Sequence, residues 1–342
     1  MTTTNPKRIS WTRALKADLR RHKPLFFDES SVVVGAYRPF NKQWMYFNRR
    51  CNEMVYQMPR LFPTPRHRNV VISSTGVADR KGYSALVADQ VPNLHITDTG
   101  QCFPLYWFEK AEESGTPQSE MFSASEMPDA DGYIRRDAIS DWALEAFRSH
   151  YGDATISKED IFWCVYGVLH SPEYKRRFAS DLKKMLPRVP LVENFRAFSD
   201  AGRKLGDLHL TYEKVEPFPL TEDCSRLVME PDDYRVSKMV FGKKDGKPDR
   251  TVIVFNAHLT LRDVPLEAYE YVVNGKSAIE WIMERYQVSV DPASGIKNDP
   301  NDWCTEHGDP RYILDLLKRI VRVSIESQRL VKSLPPLNEH IA

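Results

Sequence analysis

The chain has 342 residues, 42% of them hydrophobic and 28% charged, enough for a real core and, at roughly 100–200 residues per domain, for two structural units. Its five cysteines, Cys51, Cys102, Cys164, Cys224 and Cys304, are odd in number and too far apart for CxxC-type zinc spacing or a disulfide framework, so buried, reduced thiols are expected. Residues 1–8 are polar and no run approaches the roughly 18 apolar residues of a membrane span; the expectation is a cytoplasmic protein with no membrane partner.

The formal net charge of +1 hides an asymmetry. Residues 1–81 hold 16 Lys and Arg against five Asp and Glu, an excess of 11 positive charges, while the remainder holds 32 against 42. One end of the chain is therefore suited to a polyanion, because each cation beside a phosphate gains by counterion release. A basic segment docked on an acidic partner domain explains the same asymmetry.

In chain order, helical spacing of Trp11, Leu15 and Leu19 predicts a helix over 9–21, stopped by Pro24. Short β-branched or aromatic runs at 31–34, 43–47, 69–74, 95–97 and 102–108 predict a mixed sheet. The Ser-, Glu-, Gly- and Pro-rich stretch 109–131 reads as a linker or surface loop. The period then lengthens to about 3.6 residues. Ser157 caps a helix with Ile161, Phe162, Val165, Val168 and Leu169 on its apolar face. Ser171 with Pro172 opens another, carrying Tyr174, Phe178 and Leu182, and Phe195, Phe198, Ala201, Leu205 and Leu208 form a third stripe. Strands at 236–241 and 251–256 flank a loop, 242–250, whose Asp245-Gly246 pair signals a hairpin. A helix over 277–286 and a long one capped by Asp309, running to about residue 334 with Ile313, Leu316, Leu317, Ile320 and Val323 inward, complete the chain.

The expected fold class is α+β. A basic, sheet-containing subdomain over 1–110 leads through a loop-rich connection, 111–155, to a largely helical region, 156–342, that carries a hairpin at 236–256.

Several phrases, in order and spacing, resemble the C-terminal specificity domain of type ISP restriction-modification enzymes. They are Tyr37-Arg38-Pro39-Phe40 with Trp44-Met45-Tyr46-Phe47, Asn52-Glu53, Gln101-Cys102-Phe103-Pro104-Leu105-Tyr106, Glu159-Asp160-Ile161-Phe162, Val168-Leu169-His170-Ser171-Pro172-Glu173-Tyr174 and Pro187-Arg188-Val189-Pro190-Leu191. The likeness spans about residues 9–330, and departs from the family pattern at Asn41 and Gln43, where an acid and an arginine are usual. An extended loop expected near 297–307 looks lineage-specific. The resemblance implies a target-recognition domain at the end of a longer polypeptide whose nuclease, ATP-driven motor and adenine-N6 methyltransferase precede it. This chain would be an excised or separately encoded C-terminal piece of such an enzyme. Its partners would be double-stranded DNA and the methyltransferase domain. S-adenosylmethionine, ATP and Mg would serve the parent enzyme, with no cofactor, metal or catalytic residue in this chain.

Catalytic motifs point the same way. No Gly-x4-Gly-Lys-Ser/Thr loop is present to wrap phosphates. Asp309-Pro310-Arg311-Tyr312 lacks the second proline of an amino-methyltransferase clamp and reads as a helix start. Pro231-Asp232 with Asp245-Gly246-Lys247 formally matches a metal-dependent nuclease, but its second half falls in a hairpin turn, without the rigid support a metal site needs. A stand-alone nuclease using Asp232, Asp245 and Lys247, and a module docking an acidic protein, are the alternative readings. His170, at the end of an apolar helix, is expected to bond terminal carbonyls.

DNA readout needs cations to position the backbone and planar donors to distinguish base edges. Arg49, Arg50, Arg60, Arg66, His67, Arg68, Arg80 and Lys81 lie on predicted turns, with Asn48, Asn52, Gln57 and Asn69 as adenine-pairing candidates. Arg66, Arg68, Arg80 and Lys81 lead, because Pro63, Pro65, Gly76 and Gly82 mark exposed loops. Lys243, Lys244 and Lys247 at the hairpin tip are the second candidate group. Tyr37, Arg38 and Phe40 are expected to hold the sheet together.

Overall fold

The computed structural model describes residues 11–77, 81–111 and 127–338. Contacts divide the chain into two compact units, with crossings at Trp11/Thr12, Tyr37/Arg38, Asn41/Lys42, Gly206/Asp207 and Ser333/Leu334.

The first unit described contains Thr12–Tyr37, Lys42–Gly206 and the end of the chain from Leu334. It opens with α1 (Arg13–Arg20), which starts later than the apolar spacing suggested because the Thr12 hydroxyl accepts the Leu15 N–H at 3.1 Å and sets the N-cap. Strands β1 (Val32–Arg38) and β2 (Asn41–Tyr46) follow, and α2 (Met58–Leu61) is a single turn. In β1, a Cβ on Gly35 would sit 2.6 Å from the Met45 sulfur and 3.2 Å from the Val91 carbonyl oxygen, so a side chain there would require Met45 to shift. Strands β3 (Val71–Ser74), β4 (Ala85–Ala88), β5 (Val91–Pro92) and β6 (Gln101–Pro104) follow. They build two sheets, β2-β1-β5 with β5 parallel to β1, and antiparallel β4-β3-β6. Every residue of β3 and β4 is buried. The predicted strand at 95–97 is instead a turn, closed by the Gly100 N–H on Leu94 and Thr97 carbonyls.

A two-stranded ladder pairs β7 (Tyr106–Lys110) with β8 (Tyr133–Asp137). Strand β8 and helix α3 (Asp141–Tyr151) occupy part of the stretch expected to be loop-rich; most of that expected linker, 112–126, lies outside the described residues. Helix α4 (Lys158–His170) starts in a reciprocal Ser157–Asp160 capping box, and nine of its residues are buried. The Tyr166 hydroxyl accepts the Val87 N–H at 3.3 Å, joining α4 to β4. Helix α5 (Pro172–Arg177) begins at the Ser171 cap, and α6 (Phe195–Leu210) runs past the unit boundary at Gly206/Asp207. Helix α4 crosses α6 at Gly167 and Gly202, where a Cβ on either would run into backbone of the other helix.

The second unit holds Arg38–Asn41 and Asp207–Ser333. Its sheet, in the order β10-β11-β12-β9, combines β9 (Thr221–Cys224), β10 (Val240–Lys244), β11 (Lys247–Val254) and β12 (Leu259–Arg262). Ile253, Leu259 and Leu261 are at most 1% exposed and form its inner face. Small ladders pair β13 (Val272–Val273) with β14 (Lys276–Ser277) and β15 (Ser289–Val290) with β16 (Lys297–Asn298). Helix α7 (Ala278–Arg285) starts in a Ser277–Glu280 capping box. Helix α8 (Asn301–Glu306) replaces the expected loop near 297–307, and α9 (Tyr312–Lys332) buries the whole predicted stripe. Asp309 does not cap α9; its carboxylate takes the Arg311 N–H in the preceding turn, and Arg311 is the N-cap.

Phe40, at φ 56° in the β1–β2 turn, is a core residue of the second unit, edge-on to Tyr212 at 5.3 Å and to His209 at 6.1 Å. The thiols depart from the expected burial at three positions: Cys224 is exposed, and Cys51 and Cys102 are half-buried, while Cys164 and Cys304 are buried. No helix among the described residues is long and apolar enough to cross a membrane.

Candidate nucleic-acid interface

The loop from Pro63 to Arg68 leads from buried Leu61 and Phe62 into β3, and two prolines restrict its backbone. His67 is its anchor. The buried ring sits edge-on to Phe108 at 4.7 Å and Tyr133 at 4.9 Å, with Nε2 at 2.8 Å from Asp129 Oδ2 and Nδ1 at 2.7 Å from Thr64 Oγ1. Asp129 Oδ1 accepts the N–H groups of Asp131 and Tyr133 at 2.9 and 3.0 Å, so the loop is latched to the turn that enters β8.

Anchoring His67 turns its neighbours outward. Arg66, 74% exposed along its side chain, donates Nε to Asp131 Oδ2 at 3.0 Å and Nη2 to Asp131 Oδ1. Arg68 is exposed and makes no ion pair among the described residues. His67, Asp129 and Asp131 bring three potential metal-ligand atoms within 4.8 Å of one another. Their oxygens face Arg66, His67 and two backbone N–H groups, so the protein's own donors fill the cluster.

The other candidates are distributed differently. Arg50 gives Nε and Nη2 to Asp18 Oδ2 at 2.9 and 2.7 Å and Nη1 to the Pro24 carbonyl at 3.2 Å, which fastens α1 to its turn. Its neighbour Arg49 is exposed, without an ion pair among the described residues. Lys81 lies 3.7 Å from Asp98, and Arg80 is outside the described residues. Asn69 is buried and bonds the Leu61 and Tyr106 carbonyls and the Val70 and Tyr106 N–H groups, which leaves it no edge for adenine. The Asn52 amide is likewise spent on the Tyr46 and Asn48 carbonyls.

At the second site, Asp245 (φ 52°) and Gly246 (φ 76°) form the two-residue turn that the sequence signalled. The ladder reaches further than expected: Lys244 pairs with Lys247 and Lys243 with Pro248, placing the lysines on strand ends instead of in a loop. All three are exposed and lack an ion pair among the described residues. Like charges directly opposite on a ladder repel, an arrangement that an external anion relieves. Asp232 lines a cavity of about 310 Å³ with Arg235, Asn301, Cys304 and Thr305; neither Asp245 nor Lys247 lines it.

Sequence reasoning gave Arg60 only as one of several turn cations and missed both Arg135 and the charge density of residues 175–188. Arg60 and Arg135 stack at 4.4 Å over Trp107 and Tyr106 on β7, and Arg135 comes from a strand hidden in the presumed linker. Lys175 to Arg188 was read for its apolar stripe alone, although charge density would have marked it. His170 behaves as expected, with Nδ1 at 2.9 Å from the Tyr166 carbonyl.

Small antiparallel sheets presenting latched and exposed cations make a recognition domain the class to which this molecule conforms. The sequence matches the Type ISP C-terminal specificity domain over residues 1–316, and the chain belongs to that family. Among solved structures it is similar to a nuclease-deletion mutant of the Type ISP restriction-modification enzyme LlaGI in complex with a DNA substrate mimic, at 34% identity over 99% of this chain and 28% of that one, TM-score 0.80. It is also similar to the ATP-dependent Type ISP enzyme LlaBIII bound to DNA, at 31% identity over 97% of this chain and 20% of that one, TM-score 0.82. A DrdV–DNA complex matches at 31% identity over 97% of this chain and 31% of that one, TM-score 0.79. The chain thus spans under a third of the length of these relatives. No curated protein sequence matches it.

Proposed function

We propose that this chain selects the DNA sequence on which a larger Type ISP restriction-modification polypeptide acts. The observation that carries the reading is the family match together with likeness, over nearly the whole of this chain, to parts of three proteins solved with DNA or a DNA substrate mimic. Methylation, ATP-driven motion and cleavage belong, in this reading, to domains outside this chain, which would use S-adenosylmethionine, ATP and Mg. The chain itself fixes the register of the duplex.

Arg66 is the base-reading side chain. Asp131 takes its Nε–Nη2 edge, which leaves the Nη1–Nη2 end as a stiffened fork of the kind that bonds guanine O6 and N7. Arg49, Arg68, Arg80, Lys81, Lys243, Lys244 and Lys247 contact phosphate, and Arg50 holds the turn that presents Arg49. Selecting bound duplexes from a random pool at physiological salt tests this assignment. Arg66→Ala is expected to relax one position of the site at a cost of about 1–3 kcal/mol, whereas Arg68→Ala weakens all sequences alike. An Arg66→Ala variant that returns the wild-type site unchanged removes Arg66 from base readout.

A further inference from the structure

Residues 175–188 hold six cations, Lys175, Arg176, Arg177, Lys183, Lys184 and Arg188, against a single acid, Asp181. This is a denser positive charge than in the first third of the chain, and it lies in the part whose overall balance is acidic. Elsewhere long-range carboxylates meet the arginines: Asp18 for Arg50, Asp153 and Asp160 for Arg196, Glu159 for Arg203, Glu222 for Arg311. In this segment Lys175, Arg176, Lys183, Lys184 and Arg188 form no ion pair among the described residues. Arg177 stacks over Phe178, with 5.6 Å from guanidinium carbon to ring centre.

The segment is also firmly built. Tyr174, 1% exposed, donates its hydroxyl to the Arg188 carbonyl at 2.9 Å and so ties the two ends together. Leu182 is buried beneath it, and Glu173 accepts the Leu337 N–H at 2.9 Å. Arg176, Arg177, Lys183 and Lys184 are exposed above this apolar base. Lys175 is half-buried, and loss of water pulls its ammonium down to about 8 with no carboxylate opposite to restore it. Unneutralised charge held on a rigid base is costly for a free domain, and an external polyanion removes the cost.

We infer that the platform formed by residues 175–188 is a second nucleic-acid contact, one that grips the sugar-phosphate backbone without reading bases. Its ligand is the phosphodiester chain of the same duplex, so the inference rests on the DNA-recognition reading above. Phosphate contacts of this kind carry affinity and salt dependence, while specificity stays with the loop that bears Arg66.

The test measures binding of the full chain to its selected duplex, and to a scrambled duplex, across roughly 50–300 mM salt, a range that brackets the concentration at which the Debye length is about 10 Å. Two variants are compared with the wild type: Lys183→Gln with Lys184→Gln, both exposed, and the same pair with Arg176→Gln and Lys175→Gln added. Thermal melting shows that each remains folded. The salt slope is expected to fall by about 2 in the double variant and about 4 in the quadruple one, near 0.9 per lost contact. Affinity for both duplexes should drop by a common factor, roughly tenfold or more for the double variant at the lower salt concentrations. A slope equal to wild type in the quadruple variant overturns the inference while leaving the DNA reading intact. Binding lost for the selected duplex alone also overturns it, because the segment would then read sequence. A wild-type chain with no salt-dependent affinity for any duplex overturns both, and loss of affinity for poly-glutamate with DNA binding unchanged assigns the platform to an acidic protein.

Discussion

The loop from Pro63 to Arg68 and the platform from Lys175 to Arg188 are both basic, yet they hold charge by opposite means. The loop is fixed by polar contacts, His67 to Asp129 and Arg66 to Asp131, so its leading arginine arrives already oriented and partly neutralised. The platform is fixed by apolar burial of Tyr174 and Leu182, and five of its cations have no ion pair among the described residues. Orientation suits discrimination, since a fork held by a carboxylate loses little freedom on meeting a base edge. Unpaired charge suits grip, since long-range attraction to phosphate needs no fixed geometry.

Three substitutions probe that contrast. Leu182→Ala removes the apolar support of the platform and should cost about 2–4 kcal/mol in denaturant unfolding; a loss under about 1 kcal/mol would mean that the platform does not depend on its buried base. His67→Ala leaves Asp129 and Thr64 without their shared partner and should cost about 1–3 kcal/mol. The same change should blur base preference while the salt slope stays at its wild-type value, and a changed slope with intact preference would reverse the roles given to the two regions. Asp131→Asn should alter stability least, by under about 1 kcal/mol, because the ion pair is exposed on its arginine side. Its effect should appear at the single base position read by Arg66, and a selected site identical to wild type would show that Asp131 does not orient the fork.

Much of the helical frame was legible in the sequence because helices announce themselves locally. Ser157 with Asp160, Ser171 with Pro172 and Ser277 with Glu280 are caps whose partners lie within three residues. The Asp245-Gly246 turn was legible for the same reason. Strand β4 was not: four consecutive buried residues show no alternation, and only pairing with β3 makes Ala85–Ala88 a strand. Helix α3 was obscured by the polar, glycine-containing text on either side, although Ser140 and Gly152 bracket it. The candidate site was half legible. Proline and arginine marked the exposed loop, but the acids that decide which cations are committed stand 65 residues away for Arg66 and 32 for Arg50. Asn69 looked like a base reader and is instead a buried joint, bonded to backbone 37 residues further on.

The chain passes between its compact units five times, and one visit lasts only from Arg38 to Asn41. Phe40 finds Tyr212 and His209 during that visit, and the final residues, with Leu337 buried, return to the unit that holds Glu173. No single cut therefore releases either half intact: a chain ended at Gly206 would strand Phe40 without its ring partners and Glu173 without Leu337. Grafting a new recognition preference onto this scaffold is better attempted by exchanging short loops than by transplanting halves.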